Sequence, residues 1–314
     1  KIVTLKKETM SKSKRYSNII GWKNNPKNKR YKIMEDYFDN VNTEKKAYFL
    51  GLLYADGSNN DKQICISLAV DDKGILEQFC HELYKDDSPL RYVRSNDDNH
   101  SDIASLTICN KHIVNILSKA GMIRSKTRKL RYPKNLNPSL HNHFIRGYFD
   151  GDGSIMNLFS IDKRRGNYIK RERWVFSIVG TDPFLKTIVQ IMKDDYSINI
   201  KNKLYNTSSK FCKELKVSNK KSLLKIYGML YNGATAYMER KRIKWDLFIS
   251  KIRAGDLKIK KDYSQYKWIT FDKARNKWKV MYRNRNLGRF NTEDIALKMI
   301  MRIAKCESWQ LLKE

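Results

Sequence analysis

The sequence lacks several features that mark common protein classes. Its five cysteines are scattered and form no CxxC pair, so zinc-finger spacing is absent and a disulfide framework is not indicated. They are Cys65, Cys80, Cys109, Cys212 and Cys306. No apolar run approaches the length of a membrane span, and the first residues lack the charged-then-apolar order of a signal peptide. We therefore expect a protein of a reducing, cytoplasmic setting with no membrane partner.

Acidic residues are also scarce relative to basic ones. The 314 residues include 64 Lys and Arg against 33 Asp and Glu, which gives a net charge of +31. Such an excess opposes compaction unless a polyanion neutralises it, and counterion release from a phosphate backbone favours that partner. The charge predicts nucleic-acid binding, but it does not separate DNA from RNA or a binding protein from an enzyme.

One short pattern occurs twice. Residues 49–58 read FLGLLYADGS and residues 145–154 read IRGYFDGDGS. A shift of 96 positions superposes Gly51 on Gly147 and Asp56 on Asp152. The repeat predicts two similar half-domains, each of which brings one aspartate to a shared place.

The surrounding patterns predict the same plan, α-β-β-α-β-β-α, in each half. Thr43 is a typical N-cap for the first repeated helix, and Asn-Lys precedes a late helix in both halves. The first half is predicted to contain helices at 43–57, 72–84 and 111–121 and strands near 62–69, 89–95 and 102–109. The second is predicted to contain helices at 140–152, 182 onward, 220–231 and 235–252 and strands near 154–162, 172–179, 197–205 and 212–217.

Each repeated helix ends in Asp-Gly. The glycine is typical of a left-handed C-terminal cap, but an aspartate at the negative end of a helix dipole is disfavoured by a few tenths to about 1 kcal/mol. Small residues recur at i, i+4 spacing, Ala47, Gly51 and Ala55 in one helix and Gly147 and Gly151 in the other. If these faces pack together, Asp56 and Asp152 emerge side by side. Such a hard-oxygen site suits Mg²⁺ or Mn²⁺ and phosphodiester hydrolysis.

The two copies, Phe49–Gly57 and Ile145–Gly153, resemble the signature of the LAGLIDADG homing endonucleases in their single-chain, two-repeat form. The resemblance covers roughly residues 40–250. It implies an α+β fold in which two pseudo-symmetric half-domains place saddle-shaped antiparallel sheets over duplex DNA. It also implies that Asp56 and Asp152 bind divalent ions with the backbone carbonyls of Ala55 and Gly151.

The family places a basic residue near each metal site. Lys126 and Lys241 are the candidates that we favour, with Lys129 as the alternative to Lys126. The sequence departs from the signature at Tyr54, which replaces an acidic residue that Asp150 retains, and at Arg146, which replaces a small residue. The last aspartate is present in both copies, which indicates an active enzyme.

Strand alternation predicts which polar side chains point into the major groove. A register error of one residue would invert the set. In the first half the candidates are Lys62, Ser67, Arg91, Arg94 and Ser95. In the second they are Arg173, Ser177, Lys201, Lys203 and Tyr205.

Residues 266–299 resemble the AP2-type DNA-binding domain, a three-stranded sheet backed by a helix. The resemblance rests on Trp278, Leu287-Gly288, Phe290, Thr292-Glu293 and Ala296. We expect strands at 267–271, 277–283 and 286–290 and a helix from Thr292 to about Lys305. The implied DNA contacts are Arg275, Lys277, Lys279, Arg283, Arg285 and Arg289.

These observations predict four segments: a basic N-terminal arm at 1–42, repeats at 43–135 and 136–252, and a linker with the AP2-like domain at 253–314. The leading hypothesis is a monomeric, Mg²⁺-dependent endonuclease that makes a double-strand break in a long asymmetric DNA target. The resemblance implies intron homing within a mobile element, in the cytoplasm of its host or in a phage or organelle setting. The alternatives are an RNA-splicing maturase that binds intron RNA and a DNA-binding protein without cleavage.

Overall fold

A computed structural model describes residues 31–85, 88–94, 102–162, 169–257, 268–272, 274–282 and 285–304. The first thirty residues of the predicted N-terminal arm, and the candidates Ser95 and Arg283, lie outside these ranges. The chain divides into two compact units, residues 1–250 and 251–314. Within the described ranges no helix has the length and apolar character needed to cross a membrane.

The first repeat contains three helices and a four-stranded antiparallel sheet. Its elements in chain order are α1 (Glu44–Asp56), β1 (Ser58–Asn59), β2 (Ile64–Ala69), α2 (Lys73–Tyr84), β3 (Arg91–Val93), β4 (Ile103–Ile108) and α3 (Lys111–Ala120). The strand order is β1-β2-β4-β3. Ile64, Ile66 and Leu68 alternate along β2 and are buried, so one face of the sheet lies on the core.

The second repeat follows the same plan. Its elements are α4 (His141–Asp152), β5 (Gly153–Asp162), β6 (Ile169–Gly180), α5 (Asp182–Asp194), β7 (Leu204–Asn206), β8 (Lys213–Val217) and α6 (Lys220–Tyr231), followed by α7 (Glu239–Arg253). The strand order β5-β6-β8-β7 matches that of the first sheet. The recurring Asn-Lys is explained by helix capping, since Asn110 accepts from the Ile113 amide and Asn219 from the Lys221 amide.

Three predicted element bounds are wrong. The predicted strand at 197–205 is reduced to β7, because Ser197 has a positive φ of 50° and the Lys203 amide donates to the nearby Lys201 carbonyl. The predicted helix at 235–252 begins only at Glu239. The residues before it use their amides in bonds to α1 and α4 instead. The predicted strand near 89–95 is confined to β3, and the two-residue strand β1 had no separate prediction.

The predicted close packing of α1 on α4 is confirmed. A Cβ atom built on Gly51 would lie 2.0 Å from the Phe144 carbonyl oxygen, and one built on Gly147 would lie 1.9 Å from the Tyr48 oxygen. Only glycine permits this backbone-to-backbone approach. Burial of Ala47 on the same face agrees with it.

The left-handed caps predicted at Gly57 and Gly153 are wrong. Both residues are extended, with φ of −72° and −111°. Glycine is needed there for space, since a Cβ would lie 2.5 Å from the Leu53 oxygen at Gly57 and 2.7 Å from the Phe149 oxygen at Gly153. The chain therefore turns directly from each helix into a strand, whereas Gly121 after α3 is left-handed, with a φ of 114°.

The second unit contains a three-stranded antiparallel sheet and one helix. The elements are β9 (Ile269–Asp272), β10 (Lys277–Tyr282), β11 (Arg285–Phe290) and α8 (Glu293–Ala304), and the strand order is β11-β10-β9. Ile269, Val280, Ala296 and Ile300 form its buried core. The predicted β-β-β-α order of this segment is confirmed.

Candidate active site

Asp56 and Asp152 are the last residues of α1 and α4, where the two helices converge. A Cβ atom built on Gly151 would lie 2.3 Å from the Ala55 Cβ and 2.7 Å from Asp56 Oδ2. The Asp56 carboxylate therefore packs directly against the backbone of the opposite helix. The two aspartates predicted from the repeat thus reach one place through the glycine faces of their helices.

The environment of both carboxylates opposes full ionisation. Burial, with a further contribution from the charge of Asp152, raises the pKa of Asp56 to about 6. Burial also raises the pKa of Asp152, while the Lys126 ammonium and the Tyr148 hydroxyl act in the opposite direction. Two carboxylates in this setting gain stability from a cation between them.

The favoured lysine candidates lie at the carboxyl ends of the same helices. Lys126 Nζ donates to the Ala55 carbonyl oxygen at 2.6 Å, and it sits in a 3₁₀ turn at Lys126–Arg128. Lys241, in the first turn of α7, is 4% exposed and donates to carbonyls of α4 and Gly153. Burial lowers the pKa of both lysines, that of Lys241 to about 8. The alternative candidate Lys129 is exposed.

The oxygen donors at this site fit a hard divalent cation, although they are few. Asp56 and Asp152 supply carboxylate oxygens, and the residues just before them, Ala55 and Gly151, supply carbonyl oxygens, which accept from Lys126 and Lys241. Among the described residues no group of three or more His, Cys, Asp or Glu side chains is arranged to hold a metal. A cation here would rely on the two aspartates and backbone oxygens.

The departures from the signature have structural roles. Tyr54 donates to the Ala120 carbonyl and anchors α1 to the end of α3. Its counterpart Asp150 is fully buried and accepts from Tyr48 and from the Met238 amide, both at 2.7 Å. Tyr54 therefore ties α1 to the end of α3, whereas Asp150 ties α4 to α1 and to the residue that precedes α7.

Sequence reasoning missed Tyr148 as a neighbour of Asp152. Its hydroxyl donates to the Val179 carbonyl at 2.9 Å at the end of β6 and also interacts with Asp152. The equivalent residue in the first repeat is Leu52, so this contact belongs to one half only. The difference between Leu52 and Tyr148 at aligned positions was the available signal.

In the first sheet, two of the predicted DNA-contacting residues share the face opposite the core. Ser67 and Arg91 both pair with Ser105 of the central strand β4, and in antiparallel pairs such partners point to the same side. Ser67 and Arg91 are exposed. Lys62 and Arg94 are exposed as well, but they lie in the turn before β2 and just after β3.

In the second sheet, Arg173, Ser177 and Tyr205 have the predicted common parity. The register places Ser177 opposite Lys216 and Tyr205 opposite Glu214. The expectation that Ser177 presents its side chain is wrong, because it is 4% exposed and its hydroxyl bonds that of Ser154 at 3.0 Å.

The remaining second-half candidates, Lys201 and Lys203, are exposed in the irregular segment before β7 rather than in a strand. Lys203 Nζ lies 5.1 Å from the centre of the Tyr205 ring. Lys216, which sequence reasoning missed, lies 5.7 Å from the same ring. The two lysines and the tyrosine form a basic, aromatic patch on this sheet.

In the second unit, Lys277, Lys279 and Arg289 lie on the sheet face opposite the helix. Lys279 pairs with Arg289 across β10 and β11, and the intervening Trp278 and Val280 point to the core side. Arg289 and Arg275 also form ion pairs with Asp272, at 2.7 and 3.4 Å. Arg285 is exposed at the start of β11.

Comparison with known proteins gives limited sequence similarity. No protein-family model matches the chain. An uncharacterized protein of Methanocaldococcus jannaschii is 28% identical over 135 residues, which span 40% of this chain and 46% of that protein. The match thus covers less than half the length of the curated relative.

Solved structures with a similar arrangement are LAGLIDADG homing endonucleases. The I-LtrWI LAGLIDADG homing endonuclease bound to target DNA is 13% identical, with a TM-score of 0.46, 71% of this chain covered and 92% of that one. The meganuclease I-SmaMI bound to uncleaveable DNA is 11% identical, with a TM-score of 0.46 and coverage of 69% and 92%. The LAGLIDADG meganuclease I-CpaMI bound to uncleaved DNA is 13% identical, with a TM-score of 0.44 and coverage of 67% and 92%.

Proposed function

We propose that this chain is a DNA endonuclease of the LAGLIDADG homing type, which hydrolyses one phosphodiester on each strand of a long, asymmetric DNA target. The observation that carries the proposal is the meeting of Asp56 and Asp152 at the ends of two closely packed, repeated helices. A structural pair of helix ends has no need for two adjacent, partly desolvated carboxylates, whose charges repel each other.

The two aspartates and the adjacent carbonyls would hold Mg²⁺ or Mn²⁺. Such a cation would supply activation of the attacking water and stabilisation of the leaving oxygen. The carboxylates would hold the cation in a fixed place, because their helices pack backbone to backbone at Gly51 and Gly147. The side chain of Lys126, whose nitrogen lies 2.6 Å from the Ala55 carbonyl oxygen, would offer positive charge to the scissile phosphate.

The surfaces around the site suit double-stranded DNA. A sheet of the same strand order follows each of the two packed helices, and Arg91 and Arg173 are exposed on these sheets. The net charge of +31 supplies counterion release along the phosphate backbone. Because one chain carries both repeats, a monomer would cover both halves of an asymmetric site.

The second unit would extend the footprint on DNA. Lys277, Lys279 and Arg289 lie on the outer face of its sheet, and this basic face would read the major groove as expected of an AP2-like domain. Tethering this unit to the first raises the effective concentration of the second contact without new chemistry. This unit would contribute affinity for DNA and no catalysis.

The test is recovery of cleaved ends from a random-sequence plasmid library incubated with the full chain and Mg²⁺. We expect a single enriched target whose two strands are cut at fixed positions. The double variant Asp56→Asn with Asp152→Asn should yield none, whereas the exposed control Asp71→Asn should match wild type. Retention of a specific DNA sequence without cut ends would replace the nuclease by a DNA-binding protein, and selective retention of structured RNA would favour a maturase.

A further inference from the structure

The two lysines at the active site differ in how firmly they are held. Lys241 Nζ donates to the carbonyls of Phe149 and Gly153 at 2.7 Å each and to that of Asp150, with the Gly151 oxygen 3.3 Å away. An ammonium group has three protons, so these carbonyls use all of them. Lys241 therefore closes the carboxyl end of α4 as a fixed part of the structure.

Lys126 is held much more loosely. Among the described residues its ammonium donates to one acceptor, the Ala55 carbonyl, at 2.6 Å. It is partly exposed, and it follows Ser125, whose φ is 55°, in a short surface turn. A lysine stem on such a turn has the freedom to withdraw from its acceptor at little cost.

The charge of Lys126 acts on both members of the aspartate pair. Both Asp56 and Asp152 stabilise its charged form, and Lys126 is the first charge that stabilises ionised Asp152. Lys241 interacts first with Asp150, and its charge also favours ionised Asp56. The Ala55 oxygen that Lys126 contacts is the same oxygen that a cation between the aspartates would use.

We propose that the Lys126 ammonium and a divalent cation are alternative partners of one position, formed by the Asp56–Asp152 pair and the Ala55 carbonyl. Without the cation, Lys126 satisfies the carbonyl, and its charge favours the ionised form of Asp152. When the cation binds, Lys126 leaves the carbonyl and Lys241 does not move. This inference rests on the proposed function in one respect, namely that the two aspartates bind a divalent cation.

The test compares Lys126→Met with wild type in the full chain without DNA, by calorimetric titration with Mg²⁺ and by thermal unfolding. We expect Lys126→Met to bind Mg²⁺ at least about tenfold more tightly, because no ammonium has to be displaced. In EDTA its melting temperature should fall by several degrees, and saturating Mg²⁺ should remove the deficit. The matched control Lys129→Met deletes a nearby exposed charge and should change neither quantity.

Lys241→Met provides the contrast. It should lower the melting temperature by a similar amount with and without Mg²⁺, because its three shorter bonds go to the carbonyls of Phe149, Asp150 and Gly153, none of which is a proposed cation ligand. If wild type binds Mg²⁺ and Lys126→Met binds it equally or more weakly, the exchange inference is wrong and the proposed nuclease stands. If neither protein binds Mg²⁺ or Mn²⁺ at millimolar concentration, the metal site of the proposed function fails, and the inference fails with it.

Discussion

Arg146 Nη2 donates to Glu44 Oε1 at 2.5 Å across the interface of α1 and α4, and the Arg146 side chain is fully buried. Its other donors reach the carbonyls of Ala236 and Leu230, both at 2.8 Å. The aligned residue in the first repeat is Leu50, which cannot form an equivalent ion pair. The two repeats therefore share an order of elements but contribute different side chains to the interface between α1 and α4.

Removal of Glu44 should be severe because it leaves a buried guanidinium without its counter-ion. We expect Glu44→Ala to lower the free energy of unfolding by about 3–5 kcal/mol. Adding Arg146→Leu, the residue of the first repeat, should restore much of the loss. Chemical denaturation measures both. Glu77→Ala in the exposed Lys73–Glu77 pair is the control, expected to cost about 0.5 kcal/mol.

The close approach of α1 and α4 predicts opposite effects for alanine at different glycines. Gly51→Ala and Gly147→Ala each insert a Cβ within 2.0 Å of a backbone oxygen, so the helices must separate. We expect a loss of about 3 kcal/mol or more in the free energy of unfolding. Gly74→Ala in α2 meets nothing within 4 Å and should stabilise the protein by about 0.5–1 kcal/mol. Equal effects at Gly74 and Gly51 would contradict the packing.

His143 makes stability depend on acid pH. Its Nδ1 accepts from Arg146 at 2.9 Å, and burial together with the Arg146 charge lowers the pKa of His143 from 6.5 to about 4. The folded protein thus favours the neutral ring. The contribution of the neutral ring to the free energy of unfolding is complete above pH 6.5. It is lost as the pH falls towards 4, because the unfolded chain binds the proton at a higher pH than the folded chain does.

The size of this loss is modest because the ring is half-buried. We expect it to be about 1 kcal/mol after allowance for solvent screening. The free energy of unfolding, measured by chemical denaturation between pH 7.5 and 4.5, should decrease less steeply with falling pH for His143→Gln than for wild type. Identical slopes would mean that this ring does not titrate with folding.

The second unit should add affinity for DNA. Lys277→Ala with Lys279→Ala removes two charges from the outer sheet face without touching the core of Ile269, Val280 and Ile300. We expect weaker binding of the target and a decrease of about 1–2 in the slope of log affinity against log salt. Lys298→Ala, on the exposed side of α8, is the matched control, and an effect equal to the double variant would contradict a role for that face.

The repeated segments were the predictable part of the fold. Two aligned copies of one pattern identified α1 and α4, their glycine contacts and the two aspartates, because each of these follows from spacing along one helix. Asn110 and Asn219 were predictable as helix starts for the same reason. Local pattern alone was sufficient in these places.

The features that were missed depend on contacts between distant residues. The start of α7 is delayed because the amides of Thr235 and Met238 donate to Glu44 and Asp150, far away in sequence. Ser177 lies on the predicted face of its strand but is buried. Strand alternation predicts the face on which a residue lies and not whether other residues cover it. Arg146 is understandable only once Glu44 is known to lie opposite it.

The central claim is that one aspartate from each repeat builds a single hydrolytic site. The most direct measurement is single-turnover cleavage of the selected target with Mg²⁺ by wild type, Asp56→Asn and Asp152→Asn, with DNA affinity measured in parallel. We expect each single variant to make double-strand breaks at least about 100-fold more slowly and to bind DNA within about threefold of wild type. Double-strand cleavage at the wild-type rate by either variant would contradict it.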